Sequence, residues 1–130
     1  MRSAVLIALA VSPLSLCGAP PDKPLPPEEA RRRVGEAVTV EMVVRASKDR
    51  LEKRKEIYLD SEADFRDKKN FAVVINAEGA AKFKAAGIEK PAAHFKGKTI
   101  RATGTVVEHE GVPRIVVSDP KQIRVVGPKD

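Results

Sequence analysis

The chain is short of the residues that build large apolar anchors and covalent cross-links. Of its 130 residues only 4% are aromatic, none is tryptophan and one is cysteine. A hydrophobic core must therefore be made of Val, Ile, Leu and Ala, which suits a small β-barrel. The one cysteine, Cys17, lies in the N-terminal apolar segment. The rest of the chain can therefore form neither a disulfide nor a thiolate metal site, and its length allows a single domain.

Residues 1–17, MRSAVLIALAVSPLSLC, have one positive charge followed by an apolar run. This layout is typical of a secretory signal peptide, and the run is too short to span a bilayer. We therefore predict an exported protein, periplasmic or associated with the cell envelope. Two forms of processing stay open. The residues LSLC at 14–17 are similar to a bacterial lipobox, which would make Cys17 a lipidated membrane anchor, and ordinary cleavage near Cys17 is the alternative.

Prolines are concentrated directly after this leader. Residues 18–27, GAPPDKPLPP, hold half of the 10 prolines in the chain. Because proline fixes φ and has no amide donor, this segment is predicted to be a stiff, extended linker, or else a tail of no structural consequence. A folded domain is predicted over residues 28–126, with residues 127–130 as a tail.

Alternating hydrophobicity predicts β-strands along most of the domain. The expected strands cover residues 37–48, 56–60, 71–75, 99–108 and 113–117, with a short returning strand at 123–125. In the first strand Val38, Val40, Met42 and Val44 are expected to face inward. A three-residue loop with a bulge, residues 109–111, is expected to join the last two long strands.

Two short helices are predicted. Residues 27–34 begin with proline, carry glutamates early and arginines late, and stop at Gly35, as helices do. Residues 77–86 have Asn76 as an N-cap and Gly87 as a C-cap, and Ala80 and Phe83 share a face. The order of three strands, a helix and two strands is that of an OB-fold-like, five-stranded small barrel, mainly β with a capping helix. An SH3-like barrel or a β-meander sandwich is the alternative.

Three segments carry a resemblance to a known family. They are IYLDSEADFRDKKNFAVVI at 57–75, HFKGKTIRATGTV at 94–106 and PRIVVSDPKQIRVV at 113–126. The chain from about residue 33 to 126 resembles the bacterial OB-fold domains grouped as nucleic-acid-binding-like, including exported ones of unknown role. The resemblance implies an OB fold, and by analogy it implies an oligonucleotide, oligosaccharide or protein partner.

OB-folds that bind single strands use the outer face of their second and third strands and the loops beside it. Tyr58 is the outward aromatic residue on the second predicted strand, and the net charge of +6 permits a polyanion. The predicted ligand-binding residues are Arg45, Lys48, Arg50, Lys53, Arg54, Lys55 and Tyr58, most of them on a loop at 48–55. Single-stranded nucleic acid is the favoured partner, and an envelope protein or glycan is the alternative. A solvated basic loop beside a surface tyrosine is the structural alternative.

No motif points to catalysis. The acidic residues of the 60–67 connection lack the glycine and the closing glutamate of a calcium loop, so local ion pairs with Arg66, Lys68 and Lys69 are expected instead. His94 and His109 have no patterned partners and are expected to lie in turns or on the surface. We therefore predict a non-enzymatic module with no catalytic residue, metal or cofactor. A metal-dependent nuclease using the acidic cluster is kept as an alternative. The cluster consists of Asp60, Glu62, Asp64 and Asp67.

Overall fold

The computed structural model describes residues 23–126. Its strands are β1 (Pro24–Leu25), β2 (Ala37–Val43), β3 (Ala46–Arg50), β4 (Glu56–Asp60), β5 (Ala72–Asn76), β6 (Thr99–His109), β7 (Val112–Val117) and β8 (Ile123–Val125). Its helices are α1 (Pro27–Ala30), α2 (Leu51–Arg54), α3 (Ala77–Ala85) and α4 (Pro91–Phe95), and a 3₁₀ turn covers Pro120–Gln122. The predicted leader with Cys17, the start of the predicted linker and the predicted tail lie outside the described residues. None of the helices within residues 23–126 is both long and apolar enough to cross a membrane.

The single long strand predicted at 37–48 is divided into β2 and β3, because the chain changes its pairing partner between them. β2 pairs antiparallel with β6, whereas β3 pairs antiparallel with β4. At the break, the amide of Val44 donates to the carbonyl of Lys98 and the amide of Arg45 donates to the carbonyl of Asp60. The continuous segment formed by β2 and β3 therefore pairs at both ends of the sheet and joins its two edges.

The remaining pairings complete a mixed sheet. β4 pairs antiparallel with β5, β5 pairs parallel with β7, and β7 returns antiparallel to β6. The sheet path β2-β6-β7-β5-β4-β3 thus ends where it began, since β2 and β3 are consecutive. β8 adds to β6 as the predicted short return, and β1 adds parallel to β2 from within the proline-rich segment. The predicted mainly β fold is confirmed.

The barrel interior is filled by the aliphatic residues that the alternation pattern selects. Val38, Val40, Met42 and Val44 are all buried, as predicted. The aromatic residues of the core come mostly from outside the sheet: Phe83 on α3 and Phe95 on α4 pack edge to face, with ring centroids 5.6 Å apart. The two helices therefore contribute aromatic side chains to the core from outside the sheet. The remaining large buried side chains of the core are Ile57, Leu59, Phe71, Val73, Ile75, Ile100, Val106, Ile115 and Val117.

Helix α3 begins and ends as predicted. The Asn76 side-chain oxygen accepts a hydrogen bond from the amide of Gly79 at 2.8 Å. At the other end Gly87 takes a φ of +95°, and the amide of Ile88 donates to the carbonyl of Phe83 at 2.9 Å. This pattern is a Schellman termination, in which the glycine accepts a left-handed conformation at low cost and the following apolar residue packs onto the helix.

Three local predictions are wrong in detail. Helix α1 ends at Ala30, earlier than residue 34. A helix, α4, replaces the turn predicted near residue 94, because Pro91 sits at its first turn, where a missing amide costs nothing. The loop between β6 and β7 has two residues, Glu110 and Gly111, with φ of +52° and +80°. Two positive φ values define a type I′ turn, whose twist matches a hairpin without a bulge.

Candidate nucleic-acid interface

A groove of about 340 Å³ lies on the outer face of β3, β4, β5 and β7. Four cationic and two aromatic side chains line it, namely Lys48, Arg50, Arg54, Arg114, Tyr58 and Phe65. Asp60 and Asn70 form part of its floor, and His109 and Glu110 of the β6–β7 turn stand at its rim. The groove therefore combines positive charge, aromatic rings and buried polar groups at one place.

Strand register explains why these side chains meet. Lys48 on β3 is opposite Tyr58 on β4, which is opposite Val74 on β5. In the next outward-facing row, Asp60 is opposite Ala72, which is opposite Arg114 on β7. Because alternate residues of a strand face the same side, both rows point away from the barrel core.

Arg114 and Tyr58 form the centre of the groove. The Arg114 guanidinium carbon lies 5.8 Å from the centroid of the Tyr58 ring, within the range of a cation–π contact. Nη1 of Arg114 is 3.7 Å from a carboxylate oxygen of Glu56, and the Tyr58 hydroxyl donates to the other oxygen of Glu56. Burial, followed by this hydrogen bond, raises the pKa of Tyr58 above its usual value. Tyr58 is therefore a neutral ring held in place at its hydroxyl end.

Phe65 supplies a second ring from the connection between β4 and β5. Its side chain is 51% exposed. Nζ of Lys48 lies 4.7 Å from its ring centroid, and the guanidinium carbon of Arg66 lies 5.7 Å away. An exposed ring with cations beside it is the kind of surface on which a nucleic-acid base stacks while its phosphates are neutralised.

A hydrogen-bonded group ties this connection to the floor of the groove. Nδ2 of Asn70 donates to Oδ1 of Asp60 at 3.0 Å, and Oδ1 of Asn70 accepts from the amide of Glu62 at 3.0 Å. The hydroxyl of Ser61 accepts from the amide of Phe71 at 2.9 Å. Burial raises the pKa of Asp60, and the Asn70 hydrogen bond and the charges of Lys48 and Arg114 partly offset that rise.

The predicted ligand-binding residues fall into two sets. Lys48, Arg50, Arg54 and Tyr58 line the groove. The other three lie outside it. Arg45, at the break between β2 and β3, borders a separate depression with Glu41, Ser61, Glu62 and Lys69, while Lys53 is exposed on α2 and Lys55 ends α2 with a φ of +61°.

The basic loop expected at 48–55 is in fact the end of β3 followed by the single helical turn α2. Two contributors to the groove, Phe65 and Arg114, are absent from the predicted set. Each left a signal in the sequence: Phe65 is the one aromatic residue of a polar connection, and Arg114 alternates with the inward-facing Ile115. The proximity of Arg114 to Tyr58 depends on the parallel pairing of β5 with β7, and the position of Phe65 depends on the fold of the β4–β5 connection, neither of which alternation reveals.

The acidic residues and histidines considered in the sequence do not form a common site over residues 23–126. Asp64 pairs with Arg66 at 3.2 Å, which confirms an ion pair within the connection, and hydrogen bonds from Arg66 lower the pKa of Asp64. His94 packs its ring against Phe95, and burial lowers its pKa, whereas His109 lies at the groove rim. Over residues 23–126, no three His, Cys, Asp or Glu side chains form a group suited to a metal ion.

The fold is similar to part of several solved aminoacyl-tRNA synthetases. An aspartyl-tRNA synthetase from Entamoeba histolytica matches with a TM-score of 0.54 and 16% identity, over 95% of this chain and 24% of that one. An asparaginyl-tRNA synthetase from Pyrococcus horikoshii matches with a TM-score of 0.53 and 16% identity, over 80% of this chain and 23% of that one. This chain thus spans about a quarter of the length of those enzymes. No protein-family model matches it, and no curated protein matches it in sequence. At this identity the likeness shows the fold alone, which is the OB fold.

Proposed function

We propose that this protein is an exported, non-enzymatic module that binds single-stranded nucleic acid in the groove on β3, β4, β5 and β7. The observation that carries the proposal is the meeting of two aromatic rings, Tyr58 and Phe65, with four cationic side chains in one groove. Cations neutralise phosphates and rings stack on unpaired bases, so one surface meets both requirements of a single strand.

The position of the groove on the fold supports the same choice. OB-folds bind oligonucleotides on the face of their second and third strands, which correspond here to β4 and β5. The solved structures of similar fold carry tRNA in their names, which supports a nucleic-acid partner by analogy. From the segments at 57–75, 94–106 and 113–126 we also propose that the chain is one of the bacterial OB-fold domains that its sequence resembles.

Export and the lack of catalysis belong to the proposal too. The pattern of residues 1–17 supports export, with Cys17 as a lipid anchor or as a residue near an ordinary cleavage site. Two acidic residues of this region have structural contacts: Oδ1 of Asp60 accepts from Asn70, and Asp64 pairs with Arg66. A structural role for both carboxylates supports binding without a reaction.

The test is a titration of a fluorescently labelled single-stranded oligonucleotide by anisotropy over a range of salt concentrations. If the four cations each meet one phosphate, the logarithm of the affinity should fall with the logarithm of the salt concentration with a slope of about −3. Arg54→Ala should weaken binding and reduce that slope by about 0.7. Phe65→Ala should cost about 1–3 kcal/mol of binding free energy and leave the slope unchanged, because a ring carries no charge.

Lys84→Ala is the matched control, since Lys84 is an exposed cation on α3, outside the groove. It should change neither the affinity nor the slope. Equal losses in Lys84→Ala and Arg54→Ala would mean that binding reflects net charge rather than the groove, and no binding at low salt would refute the proposal. An envelope glycan or protein that binds with little dependence on salt would support the alternative partner.

A further inference from the structure

Two buried polar side chains in the groove floor have hydrogen-bonding capacity that the fold leaves unused. Asp60 is 3% exposed and Asn70 is 2% exposed, yet both line the groove. Asn70 Nδ2 uses one of its two hydrogens to donate to Oδ1 of Asp60. Within residues 23–126, Oδ2 of Asp60 and the second hydrogen of Asn70 Nδ2 have no hydrogen-bond partner. The floor therefore presents an acceptor and a donor side by side.

The orientation of the Asn70 amide is set by its oxygen. Oδ1 accepts from the amide of Glu62 at 3.0 Å and from the hydroxyl of Ser61 at 3.5 Å. A flipped amide would place its NH₂ group against these two donors and its oxygen against the Asp60 carboxylate. The donor end of Asn70 is therefore fixed beside Asp60, and a ligand meets a preorganised pair.

Tyr58 lies on the same face of β4 as this pair. It precedes Asp60 by two residues, a separation of about 7 Å along a strand. A base stacked on the Tyr58 ring would extend its hydrogen-bonding edge along β4, over the carboxylate and the amide. The groove thus has a stacking platform and an edge-reading pair at adjacent positions.

We propose that Asp60 and Asn70 read the base stacked on Tyr58 and favour guanine, an inference that rests on the proposed function. The pairing edge of guanine presents an acceptor, O6, followed by two neighbouring N–H donors. The Asn70 amide can donate to O6 while the Asp60 carboxylate accepts from the donors. Uracil and thymine place a second acceptor against the carboxylate, and adenine and cytosine offer it a single donor. A buried carboxylate left without its donors makes the other bases less favourable.

The experiment compares ten-nucleotide oligothymidylates that carry one central substitution: guanine, hypoxanthine, adenine or cytosine. Guanine should bind about tenfold more tightly than thymine, as one well-matched base contact allows. Hypoxanthine, which lacks the exocyclic amine of guanine, should fall between them. Because this comparison uses the unaltered protein, it does not depend on any variant folding.

Asp60→Asn keeps the shape of the side chain and should remove the preference for guanine. Asp67→Asn is the matched control, because Asp67 is exposed on the connection between β4 and β5 and lies outside the groove, so the preference should remain. Equal affinity for all five oligonucleotides, or a guanine preference that survives Asp60→Asn, would overturn the inference and leave the proposed function standing. Failure of every oligonucleotide to bind would overturn both.

Discussion

The charged side chain of Arg114 has few contacts that stabilise the fold. Its side chain is 12% exposed, its closest carboxylate is 3.7 Å away, and its buried Nε has no partner within the described chain. An unpaired buried N–H costs about 1–3 kcal/mol, whereas the weak ion pair contributes about 0–1 and the contact with Tyr58 about 0.5–1 kcal/mol. These contributions nearly cancel. We therefore predict that Arg114→Met changes the free energy of unfolding by less than about 1 kcal/mol.

The same substitution should weaken oligonucleotide binding, because it removes one phosphate partner and lowers the magnitude of the salt slope by about 0.7. Urea denaturation followed by circular dichroism gives the stability, and anisotropy titrations give the slope. Arg101→Met is the control: Arg101 pairs with Glu41 at 2.7 Å, away from the groove, so it should lose about 0.2–1 kcal/mol of stability with unchanged binding. A loss of stability above about 3 kcal/mol in Arg114→Met, or an unchanged slope, would refute this reasoning.

Three further predictions concern the scaffold. The side chain of Gln122 accepts from two backbone amides and donates to two carbonyls. Gln122→Ala should therefore lower the free energy of unfolding by about 2–4 kcal/mol. A loss below about 1 kcal/mol in urea denaturation would mean that water replaces these hydrogen bonds. A Cβ on Gly79 would lie 2.5 Å from the carbonyl oxygen of Val117, so Gly79→Ala should cost about 1–3 kcal/mol despite the better helix propensity of alanine, and a raised melting temperature would contradict this. Burial raises the folded-state pKa of Asp60 above its unfolded value of about 3.9, so its contribution to stability is fully present below that value and is lost as the pH rises through the folded pKa. The urea midpoint of Asp60→Asn relative to the unaltered protein should therefore rise as the pH increases above about 4. A difference that stays constant with pH would contradict this.

The parts of the fold that follow from the sequence are those set by neighbouring residues. Alternation along 38–44 identified the inward-facing residues because a strand has two faces and one of them is buried. Asn76 and Gly87 identified the ends of α3 because capping depends on a few adjacent backbone groups. The sequence predicts a three-residue loop at 109–111, where the structure has a two-residue turn at 110–111. Glutamate rarely adopts a positive φ, and only the register of the hairpin requires it here.

The candidate site is harder to predict from the sequence, because segments far apart in the chain form it. One unbroken first strand would place Arg45 on the same face as Tyr58. Because the chain changes its pairing partner after Val43, Arg45 borders another depression instead. Phe65 and Arg114 enter the groove through a folded connection and a parallel strand pair, whose sequence separation leaves no local periodic trace.

The charge distribution in the groove bears on the proposed choice of nucleic acid over a simple polyanion. Four cations around the opening attract any chain of phosphates, but the Asp60 carboxylate beneath them opposes it. A surface selected only for negative charge gains nothing from such a group, and burial already makes its ionised form costly. The carboxylate becomes favourable when a ligand brings N–H donors to it, which bases do and phosphates do not. If the groove binds a single strand as proposed, Asp60 therefore makes it weaker for phosphate alone and more selective for the bases that the strand leaves unpaired.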